Sequence, residues 1–179
     1  MPIATGRHQL GPDNGSLQVR TYREGMASKA GHDLIIDATR WEGTLSVGED
    51  GAPSALELSA DPRSLEIREG LGGIKPLTDK DRAEIRKNID EKVLGRDPIT
   101  FRSHRLALSE DGSRLTAEGD LTIAGNTRPI TAELAVDPGG RVTGTIAVTQ
   151  SDFGIKPYRG LMGALKVRDS VEVVVAVRP

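Results

Sequence analysis

The chain has 179 residues, 28% of them charged, a formal net charge of -2 and no cysteine. That length suits one domain with a sizeable core, and the lack of thiols excludes disulfides, thiolate catalysis and thiolate metal sites. Acids and bases are interspersed without a long basic stripe, which argues against nucleic acid and against a polybasic membrane anchor.

The first residues, MPIATGRHQLGPDNGSLQVRT, lack the basic start and apolar run of a secretory leader. No span reaches the roughly 20 apolar residues needed to cross a bilayer. The expectation is a cytoplasmic protein without stable membrane insertion. Alternation then begins: Leu17, Val19 and Thr21 take turns with Gln18, Arg20 and Tyr22, the pattern of a strand with one wet face. Trp41, Gly43, Leu45 and Val47 continue it, followed by the turn sequence GEDGAP and by Leu56, Leu58 and Ala60.

The segment PLTDKDRAEIRKNIDEKVLG breaks the pattern. Thr78 is placed to cap a helix, with Asp79 and Asp81 near its positive end. Ile85, Ile89 and Val93 recur every four residues, and Gly95 and Pro98 end the run. The spacing predicts one amphipathic helix over about 79–94, whose narrow apolar stripe covers a hydrophobic edge or opening.

Alternation returns in ITFRSHRLAL, but Ile99 and Phe101 lie on one parity and Leu106 and Leu108 on the other. A bulge at Ser103 to Arg105 restores them to one side. Leu115, Ala117, Gly119, Leu121 and Ile123 follow, then Ile130, Ala132, Leu134 and Val136, then Val142, Gly144, Ile146 and Val148. The short connectors AGN and DPGG favour antiparallel hairpins. Val171, Val173, Val175 and Val177 form one face of the last strand. About eight strands and a single helix fit an all-β protein, a closed or nearly closed antiparallel barrel, better than repeated βαβ units. Such a barrel either fills its interior or holds one small ligand. Aromatics are only 3% of the chain, and many inward positions are Gly, Ala, Thr or Val, so an elongated apolar cavity and a narrow filled core are both open readings.

Chemistry is harder to find. His8, His32 and His104 show no metal-ligand spacing. His32 stands beside Asp33, yet neighbours on a strand point to opposite sides. Nucleophile-elbow, H-E-x-x-H, Walker and dinucleotide motifs are absent. In SDFGIKPYRGLMGALKVRDSVEVVV, Phe153 and Ile155 can seal the core. Lys156, Tyr158 and Arg159 can rim an opening and hold a polar head group, and Met162 can adapt to a chain-like guest. The other reading of that stretch is a packed loop with solvated charges.

The order of DPITFRS (97–103), GDLTIAGNTRPITAEL (119–134), SDFGIKPY (151–158) and VRDSVEVVV (167–175), with ADPRSLEI (60–67) and the inserted helix, resembles the YceI-like family. The resemblance spans most of the chain. It implies a single domain over 1–179, an eight-stranded antiparallel lipocalin-like β-barrel with an associated helix, and noncovalent binding, storage or transport of an elongated apolar ligand such as an isoprenoid quinone or polyisoprenoid lipid. No cofactor is required beyond that guest. Relatives carry H-x-x-x-x-x-G-x-F where this chain has GHDLIIDATRWEGTLSV. His32 is set against the family histidine, and Leu45 stands near the usual Phe. The expected ligand-binding set is therefore His32, Trp41, Leu45, Phe101, Leu121, Ile123, Phe153, Ile155, Lys156, Tyr158, Arg159 and Met162. Two other readings stay open: a filled scaffold acting through protein contact, including a homodimer through the valine-rich strand and helix, and a small-molecule enzyme using His32.

Overall fold

The computed structural model describes residues 3–179. Met1 and Pro2 of the N-terminal stretch, and the side chain of Leu161, lie outside that description. In chain order the strands are β1 (Gly6–Leu10), β2 (Gly15–Thr21), β3 (Arg23–Glu24), β4 (Asp33–Ala38), β5 (Trp41–Val47), β6 (Pro53–Ala60) and β7 (Leu65–Leu71). The helix α1 (Asp79–Asn88) comes next, then β8 (Ile99–Leu108), β9 (Arg114–Ile123), β10 (Asn126–Val136), β11 (Val142–Thr149), β12 (Arg159–Gly160), β13 (Leu165–Val167) and β14 (Ser170–Val177).

Eleven of these form one curled antiparallel sheet in the order β1-β5-β6-β8-β9-β10-β11-β14-β2-β4-β7, and β12-β13-β3 form a small separate sheet. The fold is mostly antiparallel β with one helix. The main sheet has eleven segments where about eight strands are expected: β1, β4 and β7 are additional, and the corners at 11–14, 39–40 and 61–64 set them off from β2, β5 and β6. Asn14 fixes the first corner, where its Oδ1 accepts from the Gly11 N–H at 2.9 Å. The other two corners bond to each other. Thr39 donates its N–H to the Ser64 carbonyl at 3.1 Å, and Asp61 its N–H to the Arg40 carbonyl at 3.0 Å.

The period-two residues bury one face. Leu10, Trp41, Leu45, Leu115, Leu134, Val136, Val142 and Val177 form the tightly packed end of the main core. Ile123, Val148, Phe153, Ile155 and Val171 form a second cluster toward the other end. The β8–β9 register shifts between Ser103 and Arg105, as the parity change predicts. Inward glycines do not leave holes. A Cβ on Gly119 would meet Phe101 Cζ at 2.8 Å, and one on Gly144 would overlap Leu134 Cδ2, so large neighbours already occupy the space.

The helix begins as its sequence dictates. The Thr78 side chain accepts from the Asp81 N–H at 3.1 Å, and the Asp81 carboxylate accepts from the Thr78 N–H at 2.9 Å, the reciprocal bonding of a capping box. Its last turns, Ile89–Leu94, are wound as a π-helix and stop at Gly95, whose φ is 67°. Arg82 and Arg86 clamp α1 onto the sheet corner, donating to the carbonyls of Ile67 at 2.5 Å and Arg63 at 3.0 Å.

Candidate ligand-binding site

Where α1 crosses the curled sheet, its apolar stripe does not reach the floor everywhere. Between them lies a cavity of about 590 Å³. Leu34 and Ile36 of β4 line the sheet side, while Ile85, Ile89 and Val93 line the helix side. The remaining wall joins Thr21 of β2, Arg23 of β3 and Leu165 to Val167 of β13 to the loop residues Ala30 to His32, Ile74 to Leu77, Gln150 and Tyr158, and Asp81, Glu84 and Asn88 of α1 add polar groups. The volume falls in the ordinary range for small-molecule pockets, and an apolar floor under a polar rim is their usual composition.

The interior beneath is unevenly filled. On strands whose end residues are buried, the inward residues Leu17, Val19, Leu121, Ile130, Ile146, Val173 and Val175 remain only half-buried. They form a looser belt between the packed end and the Phe153 cluster.

Side-chain bonds hold the loops of the mouth in place. The His32 ring Nε2 donates to the Lys75 carbonyl at 2.6 Å. A carbonyl can only accept, so that nitrogen carries a proton. Arg23 donates through Nη1 to the carbonyls of Gly31 at 3.2 Å and Leu71 at 2.7 Å. Asp33, the neighbour of His32, points elsewhere and accepts from the Arg23 backbone N–H at 2.8 Å. The Lys92 Nζ lies 5.8 Å from the Tyr158 ring centre, within cation–π range. Bonding to the Thr78 backbone and side chain, with His32 nearby, holds the Asp81 carboxyl below the ordinary carboxylate range. Beside the small sheet, Tyr22 donates its hydroxyl to Glu172. That bond, with burial, raises the Tyr22 pKa.

The expected site residues divide among several places. His32 and Tyr158 line the cavity together. Trp41, Leu45 and Phe101 belong to the main core, where the Trp41 Nε1 is buried without a hydrogen-bond partner among the described residues. Leu121 packs against both clusters, and Ile123, Phe153 and Ile155 belong to the second. Lys156 and Arg159 are exposed. Met162 is fully exposed at a hairpin tip, with φ of 57°. The stretch 151–175 is thus partly joint and partly wall: Gln150–Phe153 make a tight helical turn, while 158 and 165–167 face the cavity. Sequence reasoning missed Leu34, Ile36, Leu165 and Val167 as wall residues. The two-residue spacing of Leu34 with Ile36 and of Leu165 with Val167 was the available signal, blurred in the first case by Ile35 between them. The stripe Ile85, Ile89 and Val93, expected to cover a hydrophobic edge or opening, lines the helix side of the cavity.

Among the described residues, no group of three or more His, Cys, Asp or Glu side chains could hold a metal ion, and no helix is long and apolar enough to cross a membrane.

Fold and cavity together define a curled antiparallel sheet whose hollow is roofed by a single helix. Residues 23–178 match the YceI-like domain, and the chain belongs to that family. The fold is similar to the crystal structure of BcnA from Burkholderia cenocepacia, with a TM-score of 0.65 at 14% identity over 91% of this chain and 94% of BcnA. It is also similar to the YceI protein of Campylobacter jejuni, with a TM-score of 0.51 at 12% identity over 79% of this chain and 81% of that one. Identities this low carry the fold alone. No curated protein matches the sequence.

Proposed function

We propose that this protein binds an elongated apolar molecule noncovalently, for storage or transport, with an isoprenoid quinone or polyisoprenoid lipid as the leading guest. The observation that carries this reading is the cavity of about 590 Å³ between α1 and β4, floored and roofed by aliphatic side chains. Burial of a hydrocarbon chain there is favourable by about 0.8 kcal/mol per methylene removed from water. The half-buried belt from Leu17 to Val175 gives such a chain a direction in which to extend. At the rim, the Tyr158 hydroxyl and Lys166 suit a polar head group that stays near water.

The pairing supports a closed barrel around this guest. β1 with β2, β4 with β5, and β6 with β7 are each read as one long strand bent at a corner. The bent first strand pairs with the second through β1–β5 and β2–β4, and the second with the third through β5–β6 and β4–β7. Across each shared corner the register slips by only two residues. With β6 joined to β8 and β14 to β2, this reading makes a ring of eight.

Native mass spectrometry of gently purified protein, before and after incubation with an isoprenoid quinone and with a fatty acid, tests the reading. A mass increment matching one guest per chain is the expected result. Protein that emerges empty and takes up neither compound overturns it.

A further inference from the structure

The loops at the mouth carry a feature that ligand burial does not use. Among the large apolar side chains, Met26, Ile74 and Met162 stand out as 100%, 75% and 107% exposed. All three sit on the loops that surround the cavity. Single exposed apolar residues are ordinary, but a group gathered at one opening marks a contact surface.

The same loops are charged in one sense. Residues 25–32, 72–78 and 154–168 contain Lys29, Lys75, Lys156, Arg159, Lys166 and Arg168, and no Asp or Glu, in a chain whose formal net charge is -2. No stretch of sequence is strikingly basic; the fold collects the charge from three separated loops. Their contiguity is bonded. Ala27 donates its N–H to the Ala164 carbonyl at 2.8 Å, Glu24 pairs with Lys166 across β3 and β13, and His32 reaches the Lys75 carbonyl at 2.6 Å. Acids flank these loops: Glu24 pairs with Arg168 at 3.9 Å, Asp33 accepts from the Arg23 backbone N–H, and Asp81 and Glu84 of α1 line the cavity. On α1 the acids Asp79, Asp81 and Glu84 are matched by Lys80, Arg82, Arg86 and Lys87, whereas on the apolar-tipped loops Lys29, Lys75, Lys156, Arg159 and Lys166 leave a net positive charge.

We infer that the loop side of the mouth docks reversibly on an anionic phospholipid surface, with Met26, Met162 and Ile74 entering the headgroup boundary and Lys29, Lys75 and Lys166 meeting lipid phosphates. Apolar insertion and electrostatic attraction are the two contributions that bind peripheral proteins to bilayers, and a cluster of Lys and Arg near a surface favours anionic lipid. Docked this way, the cavity opens toward the bilayer. The inference takes its purpose from the proposed lipid carriage, but its test needs no guest, so either can fail without the other.

Co-sedimentation of the full chain with vesicles decides it. Vesicles of mixed phosphatidylglycerol and phosphatidylcholine should bind the protein at low salt and release it at high salt, and pure phosphatidylcholine should bind it far more weakly. Met26→Ser with Met162→Ser should weaken binding by about tenfold or more, and Lys29→Gln or Lys166→Gln by about fivefold each. Arg141→Gln, on the β10–β11 turn at the far end, should change nothing. Because every altered side chain is exposed or at a rim, circular dichroism should be unchanged and the comparison remains interpretable. Absence of binding to anionic vesicles, equal binding to neutral ones, or equal weakening by Arg141→Gln overturns the inference. So does a lipid-free dimer that the Met changes disperse, since a second copy would then be the occupant of this face.

Discussion

The two ends of this sheet are built from the same alternating strands and differ in almost everything else. At one end Leu10, Trp41, Leu45, Leu115, Val136, Val142 and Val177 are buried together. The strands there join through tight turns at Gly51, Gly112 and Gly140, all with positive φ. At the other end, apart from the two-residue β9–β10 turn, the connections are long, the helix crosses the sheet, and Leu34, Ile85 and Ile89 keep part of their surface open to the cavity. Close packing is what large-to-small substitutions disturb most. The first end therefore holds the fold, and the second can leave apolar surface unfilled because it does not have to.

The sharpest way to break that contrast is to cut the packed end. Leu115 is 2% exposed, so Leu115→Ala removes a filled volume with little room to relax. The expected loss is about 3 kcal/mol of unfolding free energy, read from urea denaturation. The affinity of the remaining folded protein for a quinone should be unchanged. A small loss would mean that this end is as loosely packed as the mouth.

The complementary change at the mouth should act on binding first. Ile89→Asp places a carboxylate on the cavity roof at a half-buried position where it can still reach water. Ile89 packs against the edge of the main core, so stability should fall by about 1–2 kcal/mol, less than for Leu115→Ala. Quinone uptake should weaken at least about tenfold, because a chain-like guest would have to desolvate the charge. Titration followed by native mass spectrometry gives the affinity, and urea denaturation of the same protein gives the stability. If both substitutions cost similar stability, α1 belongs to the core and the two ends are not distinct.

The same contrast explains which features could be read from the sequence. Period-two runs such as Leu115 to Ile123 state which face is buried, because a strand's neighbours are set two residues apart. The Thr78 cap and the stripe Ile85, Ile89 and Val93 are local, so the helical run of α1 and its π-wound extension was legible to Leu94. The parity change in β8 even located the bulge at Ser103 to Arg105. Segments without clean alternation were missed. In β4, Ile35 and Ile36 are consecutive and the pairing with β7 slips between them. In β1 the first inward apolar residue is Leu10. The small sheet of β3, β12 and β13 is too short to have a period. The cavity was legible only in outline. Its walls are assembled from β4, the helix, the small sheet and the loops of the mouth, and no spacing rule links Leu34 to Ile89 or to Val167. Small inward residues were a misleading signal, since the space over Gly119 and Gly144 is taken by Phe101 and Leu134.

The smallest expected effect tests whether the packed end is held by its turns as well as by its core. In the β8–β9 turn, Asp111 accepts from the Ser109 hydroxyl at 2.6 Å, the Ser113 N–H at 3.0 Å and the Ser113 hydroxyl at 2.8 Å. The Ser109 hydroxyl bond, followed by those from Ser113, holds its pKa at about 2, against an ordinary value of 3.8. A carboxyl whose folded pKa is lowered contributes stability that is complete above its unfolded pKa and is lost as pH falls through the folded value. The contribution of Asp111 should accordingly be intact above about pH 4 and disappear toward pH 2. Asp111→Asn keeps an acceptor but has no proton to gain, so its stability should depend less steeply on pH across that window. Hydrogen exchange of the β8–β9 turn amides locates the effect: at neutral pH they should exchange faster in the variant, while amides of the mouth loops keep their rates. An unchanged acid slope in the variant would assign the stability of that end to its core alone.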